Sequence, residues 1–218
     1  MNTKHARELH GPSWTEVILG AILSLALGVV LAAGYLVFKP VVPVKEMPKE
    51  PAAGVVYYIE GTRGGNAARQ ATAKQRSFLQ GESVALNEGE LNALAAPATP
   101  PAEAAKASSA AMVSAGVPNF RIHDGELQIA VPMNVSLSGF AQQVMVQARG
   151  GFEREGETFV FAPNEVLVGS CPLQRLPAAQ GILMKRFFAS LAMPEEIATA
   201  WRGLANVSIE GSTLRLER

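Results

Sequence analysis

The chain has 218 residues, with 19 basic and 19 acidic side chains and a formal net charge of zero. This length is enough for one ordinary domain with a core of moderate size. The even charge balance argues against nucleic acid as a main partner, because phosphate binding needs a surplus of Lys and Arg on one face. Since 17% of the residues are charged and 48% are hydrophobic, the composition indicates a local apolar feature.

Residues 17–38, VILGAILSLALGVVLAAGYLVF, follow a short N-terminal tail of residues 1–16 and contain no charged side chain. A helix of this length covers about 33 Å at ~1.5 Å per residue, which matches a hydrocarbon core of roughly 30 Å. Trp14 and Tyr35 lie near its ends, where aromatic side chains favour the membrane interface. The run therefore predicts a transmembrane helix. A cleavable signal peptide with a site at residues 32–34 is the alternative, and the continuation of the run past that site favours an uncleaved anchor.

The orientation of this helix does not follow from charge, because basic residues are nearly balanced on its two sides. A short tail before a large C-terminal portion is the usual arrangement of a signal anchor. It predicts a single-pass protein with a cytoplasmic N-terminus and an extracytoplasmic C-terminal domain in a bacterial envelope. The single cysteine, Cys171, fits such a domain built without disulfides.

Small residues recur every four positions along the predicted membrane helix and would allow a second helix to approach closely. They are Gly20, Ser24, Gly28 and Ala32. This small-residue stripe predicts homo- or hetero-association through the helix. The alternative is that glycine, alanine and serine are simply common in membrane helices.

Residues 39–53 carry four prolines and predict a semi-rigid, extended tether. The extracytoplasmic domain is expected over residues 54–218. It opens with VVYYIEG, residues 55–61, whose β-branched and aromatic side chains predict a strand. The alanine-rich segment between Gly64 and Leu79 predicts a helix, with its basic residues on a solvated face.

The segment SVALNEGELNALAA predicts a strand that leads directly into a helix. Val84 and Leu86 alternate as in a strand, and Asn87 is a favourable N-cap with Glu90 three residues later. The helix is expected to bury an apolar side made of Leu91, Leu94 and Ala95. Residues 97–115 are nearly all Ala, Pro, Ser and Thr, which predicts a low-complexity, flexible insert.

The remainder is mostly β in pattern, with turns at glycine pairs. Asp124 and Gly125 predict a hairpin between alternating apolar runs, and Gly211 predicts the last hairpin. Further strands are expected over residues 144–149, 158–161 and 165–168. Consecutive strands joined by hairpin turns imply an antiparallel sheet.

The stretch VGSCPLQRLP predicts the point where a strand gives way to an amphipathic helix over residues 177–192. The apolar face of that helix consists of Leu183, Met184, Phe187, Phe188 and Leu191. Pro194 opens a second short helix with acidic residues in its first turn. The predicted fold is therefore α+β: an N-terminal transmembrane helix, then a curved antiparallel sheet packed against one or two amphipathic helices.

The residues that carry chemistry are few. His123 is the one histidine beyond the membrane helix, and its place beside a turn favours a solvated role over that of a general base. Cys171 has no second thiol and is expected to be a small buried residue. A zinc site needs several Cys or His ligands, so neither a metal nor a cofactor is predicted. Glu153, Glu155 and Glu157 lie beside glycines, as in a solvated hairpin.

These observations leave three functional hypotheses. The first is a non-enzymatic binding or accessory module, in which the apolar face of the 177–192 helix and the sheet enclose a lipid or another apolar ligand. The structural alternative for those Met and Phe side chains is an ordinary filled core. The second hypothesis is a structural or interaction subunit of an envelope complex. The third is a hydrolase that uses a carboxylate pair, which the spacing in three dimensions would decide.

Three segments resemble bacterial single-pass membrane-anchored domains of the YpmS-like type. SVALNEGELNALAA is similar to their strand and acidic Leu-Asn helix, VLVGSCPLQRLP to their strand running into a Pro-Leu segment, and VSIEGSTLRLER to their closing hairpin. The resemblance covers roughly residues 80–218, and the low-complexity insert departs from it. It implies an envelope protein with some likeness to tubular lipid-binding folds, and no catalytic residue is carried over.

Overall fold

The computed structural model describes residues 13–39, 41–96, 112–137, 140–175 and 194–218. The helices are α1 (Trp14–Phe38), α2 (Ala67–Leu79), α3 (Glu88–Ala95) and α4 (Glu195–Arg202), with a 3-10 turn at Leu173–Arg175. The strands are β1 (Val41–Val44), β2 (Val56–Ile59), β3 (Val84–Asn87), β4 (Met112–Ala115), β5 (Asn119–His123), β6 (Glu126–Leu137), β7 (Phe140–Glu155), β8 (Thr158–Val168), β9 (Cys171–Pro172), β10 (Asn206–Glu210) and β11 (Thr213–Glu217). The chain is thus an α+β protein, as predicted.

The N-terminal helix α1 begins three residues earlier than its apolar run because Ser13 caps it. The Ser13 hydroxyl accepts a hydrogen bond from the Glu16 N–H, and the Glu16 carboxylate accepts one from the Ser13 N–H. This reciprocal pair satisfies two of the N–H groups that have no partner in the first turn. Among the residues the structure describes, α1 is the helix that is long and apolar enough to cross a membrane or to serve as a signal sequence.

The strands form three open sheets in place of one curved sheet. β1 and β2 pair in parallel, and β3, β10 and β11 form an antiparallel sheet in the order β10-β11-β3. The third sheet has six strands in the order β4-β6-β7-β8-β9, and β5 pairs with β6 beside β4. The hairpins predicted at Asp124–Gly125 and Gly211 are both present.

Two parts of the chain expected to lack regular structure contribute strands. Val41–Val44, inside the predicted tether, pairs in parallel with Val56–Ile59, so this part of the tether is not a free spacer. Met112–Ala115, at the end of the predicted insert, pairs with residues 133–136 of β6. Both strands are edge additions whose partners are distant in sequence, so local composition carries little signal for them.

The strand runs predicted at residues 144–149, 158–161 and 165–168 belong to two long strands, β7 and β8. They stay continuous through a bulge, because the register shifts between Arg149 and Gly150. Gly150 is required there, since a β-carbon at this position would clash with the backbone carbonyl of Ala162. The bulge accommodates one extra residue of β8, so this strand continues where the sequence pattern predicted a break between residues 161 and 165.

One core joins the six-stranded sheet to the three-stranded sheet. Its buried members are Phe78, Leu86, Ile122, Leu127, Ile129, Val131, Ala200, Leu204, Val207, Leu214 and Leu216. Helix α4 closes this core, because the Trp201 indole donates a hydrogen bond to the Phe159 carbonyl at 2.8 Å and packs 5.8 Å from the Phe152 ring. Each fully buried aliphatic side chain contributes about 1.5–3 kcal/mol.

Helix α3 buries only part of the apolar side that its sequence suggested. Leu91 is half-buried and packs against the core, and Ala95 is half-buried, but Leu94 is 38% exposed, whereas Glu90 is 0% and Asn92 3% exposed. The prediction is therefore wrong for Leu94. The helix turns its polar side inward because Glu90 and Asn92 have partners there that satisfy them.

The predicted 177–192 helix lies outside the described residues. Its apolar face, Leu183, Met184, Phe187, Phe188 and Leu191, therefore stays a prediction, as does most of the 97–115 insert. The strand-to-helix junction before it is described: Cys171 is buried in β9, and Leu173 packs against Ala148 and Val166.

Candidate functional site

The end of α1 is hydrogen-bonded to the six-stranded sheet. The Ser170 N–H donates to the Leu36 carbonyl at 2.9 Å, and the Gln142 side-chain amide donates to the Phe38 carbonyl at 2.8 Å. The last carbonyls of a helix have no partner within the helix, so external donors are needed there. The sheet supplies these donors, and the folded domain lies directly against the helix end. We call this contact the helix–sheet junction.

A glycine makes the helix–sheet junction possible. Gly169 has a φ of 59°, and a β-carbon on it would clash with the Val37 carbonyl. Its N–H donates to the Met145 carbonyl at 2.8 Å, which ties the turn between β8 and β9 to β7. The backbone of this turn can therefore meet the backbone of the helix only because residue 169 has no side chain.

The small-residue stripe lies on an exposed surface. Each of Gly20, Ser24, Gly28 and Ala32 is exposed, and no heavy atom of another element lies within 4 Å of the β-carbon position of Gly20 or Gly28. The stripe is thus accessible to another helix. Association through it stays a prediction, because a single chain contains no partner.

Two side chains of α3, one helical turn apart, act as hydrogen-bonding partners for the free edge of β5. The Asn92 amide donates to the Phe120 carbonyl at 2.8 Å and accepts from the Phe120 N–H at 2.7 Å. The Glu88 carboxylate accepts from the Ile122 N–H at 2.8 Å. The strand edge is thereby closed to further pairing, which is a common protection against unwanted strand addition.

A buried tyrosine extends this network toward β2. The Tyr58 hydroxyl bonds to the Asn119 side chain, whose oxygen also accepts from the Gly61 N–H at 2.8 Å. Burial raises the pKa of the Tyr58 phenol well above its usual range, and the Glu60 carboxylate adds to the rise. The phenol is therefore a permanent hydrogen-bond donor at neutral pH and joins β2 to β5.

The residues considered for catalysis do not come together. His123 is the exposed last residue of β5, 3.2 Å from the Asp124 carboxylate, while Cys171 is buried at the opposite end of the sheet's strand order. Glu153, Glu155 and Glu157 are all exposed on the β7–β8 hairpin. Within the described ranges, no group of three His, Cys, Asp or Glu side chains is placed to hold a metal ion.

A small polar cavity lies where the β1–β2 pair covers the outer face of the six-stranded sheet. Its volume is about 160 Å³. It is lined by Met47, Tyr57, Ile59, Arg121, Gln128, Gln147, Arg149, Glu165 and Leu167. We call this cavity the ribbon cleft.

The polar lining of the ribbon cleft is a row of residues that face one another across four strands. Arg121 on β5 is opposite Gln128 on β6, Gln128 is opposite Arg149 on β7, and Arg149 is opposite Glu165 on β8. Neighbouring strands are roughly 4.8 Å apart, so adjacent members of the row are within reach of one small molecule. Gln147 and Leu167 form the next row along.

Two of the cleft's polar groups lack partners. Gln147 is 4% exposed; its oxygen accepts from the Gln128 amide at 3.3 Å, but its amide nitrogen has no hydrogen-bond partner. No carboxylate of the described residues lies within ion-pair distance of Arg121, whereas the guanidinium of Arg149 is paired with Glu126. A buried amide without a partner costs about 1–3 kcal/mol, so the cleft favours a polar occupant.

The ribbon cleft is not predictable from the sequence. The alternation of polar and apolar residues in β5, β6 and β7 places Arg121, Gln128 and Gln147 on the solvent-facing side of their strands. It does not give the register that aligns them, nor does it indicate that β2 covers them. Comparison with protein-family models, curated proteins and solved structures found no match for this chain.

Proposed function

We propose that this protein is a single-pass, membrane-anchored binding module without enzymatic activity. The uncleaved helix α1 holds its folded domain against the extracytoplasmic face of the membrane. The helix–sheet junction is the observation that carries this proposal. Its donors meet the carbonyls of an intact helical turn at Leu36 and Phe38. A stub of a few residues left by cleavage at residues 32–34 would not keep that turn helical, because short isolated helices are unstable.

The nature of the described surface supports binding over catalysis. The polar groups of the ribbon cleft converge on a small cavity, and neither His123 nor Cys171 is among the residues that line it. The lipid or apolar-ligand hypothesis depends on the 177–192 helix and stays a prediction. A role as an interaction subunit depends on the small-residue stripe and also stays a prediction.

The anchor is tested by the mass of the mature chain. Expressed in a bacterial host, the protein is expected to keep residues 17–38 and to stay in the membrane fraction after alkaline carbonate extraction. Intact mass spectrometry of the purified chain gives the result directly. A mature chain that begins near residues 32–34 would show that α1 is a signal peptide and would overturn the proposal.

The orientation has a matched cysteine test. Cys171 is buried and is expected not to react, while Ser212 is exposed in the last hairpin. Ser212→Cys is therefore expected to react with a membrane-impermeant maleimide in intact spheroplasts, and the unchanged chain is not. Labelling of Ser212→Cys only after lysis would place the domain in the cytoplasm.

The helix–sheet junction is tested by comparing two glycines with nearly the same backbone. Gly169 and Gly156 have φ of 59° and 62°, but only Gly169 faces a carbonyl at its β-carbon position. Alanine at either position carries a backbone cost of roughly 1–2 kcal/mol. Gly169→Ala is expected in addition to break the junction, so that hydrogen exchange at the Ser170 amide rises about tenfold or more, which corresponds to ~1.4 kcal/mol. Equal exchange at Ser170 in Gly169→Ala and Gly156→Ala would contradict this role.

A further inference from the structure

We propose that the ribbon cleft binds a small organic carboxylate, a proposal that rests on the assignment of the protein as a binding module. The cleft contains a cation that no carboxylate of the described residues pairs with. Arg121 and Arg149 bring two guanidinium groups to the cleft, and Glu165 brings one carboxylate. Arg149 is already paired with Glu126, so Arg121 is the cation left for a ligand. A guanidinium recognises a carboxylate through paired N–H donors, which makes an organic acid its natural partner.

The buried amide of Gln147 also lacks a partner. As placed, its nitrogen is a donor without an acceptor, which a carboxylate oxygen would satisfy. If both Gln128 and Gln147 amides were turned over, the same pair would still bond and the oxygen of Gln147 would be left instead. In either arrangement one polar atom of Gln147, a buried residue of the cleft lining, has no partner. A polar ligand is therefore favoured in both arrangements: a carboxylate oxygen satisfies the nitrogen, and a hydroxyl or ammonium group on the same acid would satisfy the oxygen.

The size of the cleft suits a small acid. The cleft has a volume of about 160 Å³. Pockets for drug-sized ligands are about 300–1,000 Å³, so the cleft suits a smaller molecule than these. An acid of two to four carbons is of that size. Glu165 and the Tyr57 hydroxyl, which accepts a hydrogen bond from the Ala52 N–H, also line the cleft and are suited to a hydroxyl or ammonium group on the same molecule.

The experiment uses the full chain in detergent micelles and ligand-observed NMR titration with acetate and succinate. Their neutral counterparts, acetamide and succinamide, have nearly the same shape without the charge. We expect the acids to bind and the amides to bind at least about tenfold more weakly, because the amides cannot pair with Arg121. Arg121→Gln is expected to weaken acid binding by about tenfold or more. Arg69→Gln removes an exposed arginine on α2 and is expected to leave binding unchanged.

Three results would overturn the proposal. They are equal binding of acid and amide, unchanged binding in Arg121→Gln, and no acid binding at millimolar concentration. Arg121 is half-buried, so its replacement is expected to fold; a thermal unfolding curve like that of the unchanged chain confirms this. Failure of the proposed function is distinguished by the mass and extraction tests, which do not depend on any ligand. A water-filled cleft is the state expected if these probes do not bind.

Discussion

Replacing Lys74 by methionine is expected to lower the free energy of unfolding by about 3–5 kcal/mol, because it leaves the charge of Glu90 buried without a partner. The Lys74 ammonium lies 2.7 Å from one carboxylate oxygen of Glu90 and 2.8 Å from the other. Glu90 is completely buried, whereas the Lys74 side chain is 37% exposed. The loss is thus asymmetric: a lysine without Glu90 can turn into solvent, but Glu90 without the lysine cannot.

The lysine contributes more than the ion pair. It also donates to the Ala85 carbonyl at 2.7 Å, so one ammonium joins α2 to β3 and to α3. The Glu90 oxygen that lies 2.8 Å from the lysine also accepts from the Asn87 N–H at 2.9 Å, which completes the capping box of α3. Methionine fills a similar volume without any donor, so the variant isolates the charge and its hydrogen bonds.

Urea unfolding of the full chain in detergent micelles measures this effect. Trp201 packs on the core and reports its opening by fluorescence, in a Trp14→Phe background that removes the other tryptophan. Arg76→Met, an exposed cation on the same helix, is the matched control and is expected to change stability by less than about 0.5 kcal/mol. Adding Glu90→Leu to Lys74→Met should recover part of the loss, since no buried charge remains. A loss below about 1 kcal/mol for Lys74→Met alone would contradict the buried-pair role.

The same helix shows which parts of the fold a sequence can predict. The capping box of Asn87 and Glu90 was predictable because both partners lie within four residues of each other. The burial of Asn92 was not, because its partner Phe120 is on a strand 28 residues away. Apolar periodicity placed Leu94 inside, yet the groups that decided the packing were polar. A helix can bury a polar side when neighbouring elements supply hydrogen-bonding partners for it. Tertiary structure determines which elements those neighbours are.

In the ribbon cleft and the helix–sheet junction, too, local contacts are predictable from the sequence and contacts between distant segments are not. Hairpin turns at Asp124–Gly125 and Gly211 fixed local pairing, so the strands on either side were predictable. The alignment of Arg121 with Glu165 depends on three successive registers and on the bulge before Gly150, which no local pattern contains. Gly169 is likewise one of 20 glycines in the sequence, and only the structure shows that the end of α1 lies against it.

Asn92→Asp is expected to lower the free energy of unfolding by about 3 kcal/mol although the two side chains have the same shape. The aspartate oxygen that replaces the amide nitrogen would lie 2.8 Å from the Phe120 carbonyl and 3.1 Å from the Thr62 carbonyl, both of which now accept hydrogen bonds. Two acceptors lose their donor, and a charged oxygen takes its place in a site 3% exposed. Unsatisfied buried groups of this kind cost about 1–3 kcal/mol each, and more when charged.

The control for this replacement is Asn134→Asp, where the exposed side chain acts only as an acceptor from Gln143 and should lose little. The same urea unfolding assay compares the two variants.

Asn92→Asp also carries a second expectation, because Asn92 closes the edge of β5. With that edge open, its N–H and C=O groups become available to another chain, so association that rises with protein concentration is expected by light scattering. If the variant were as stable as Asn134→Asp, the Phe120 backbone would not depend on Asn92. If it were destabilised yet stayed monomeric, the edge of β5 would not depend on Asn92 for its protection.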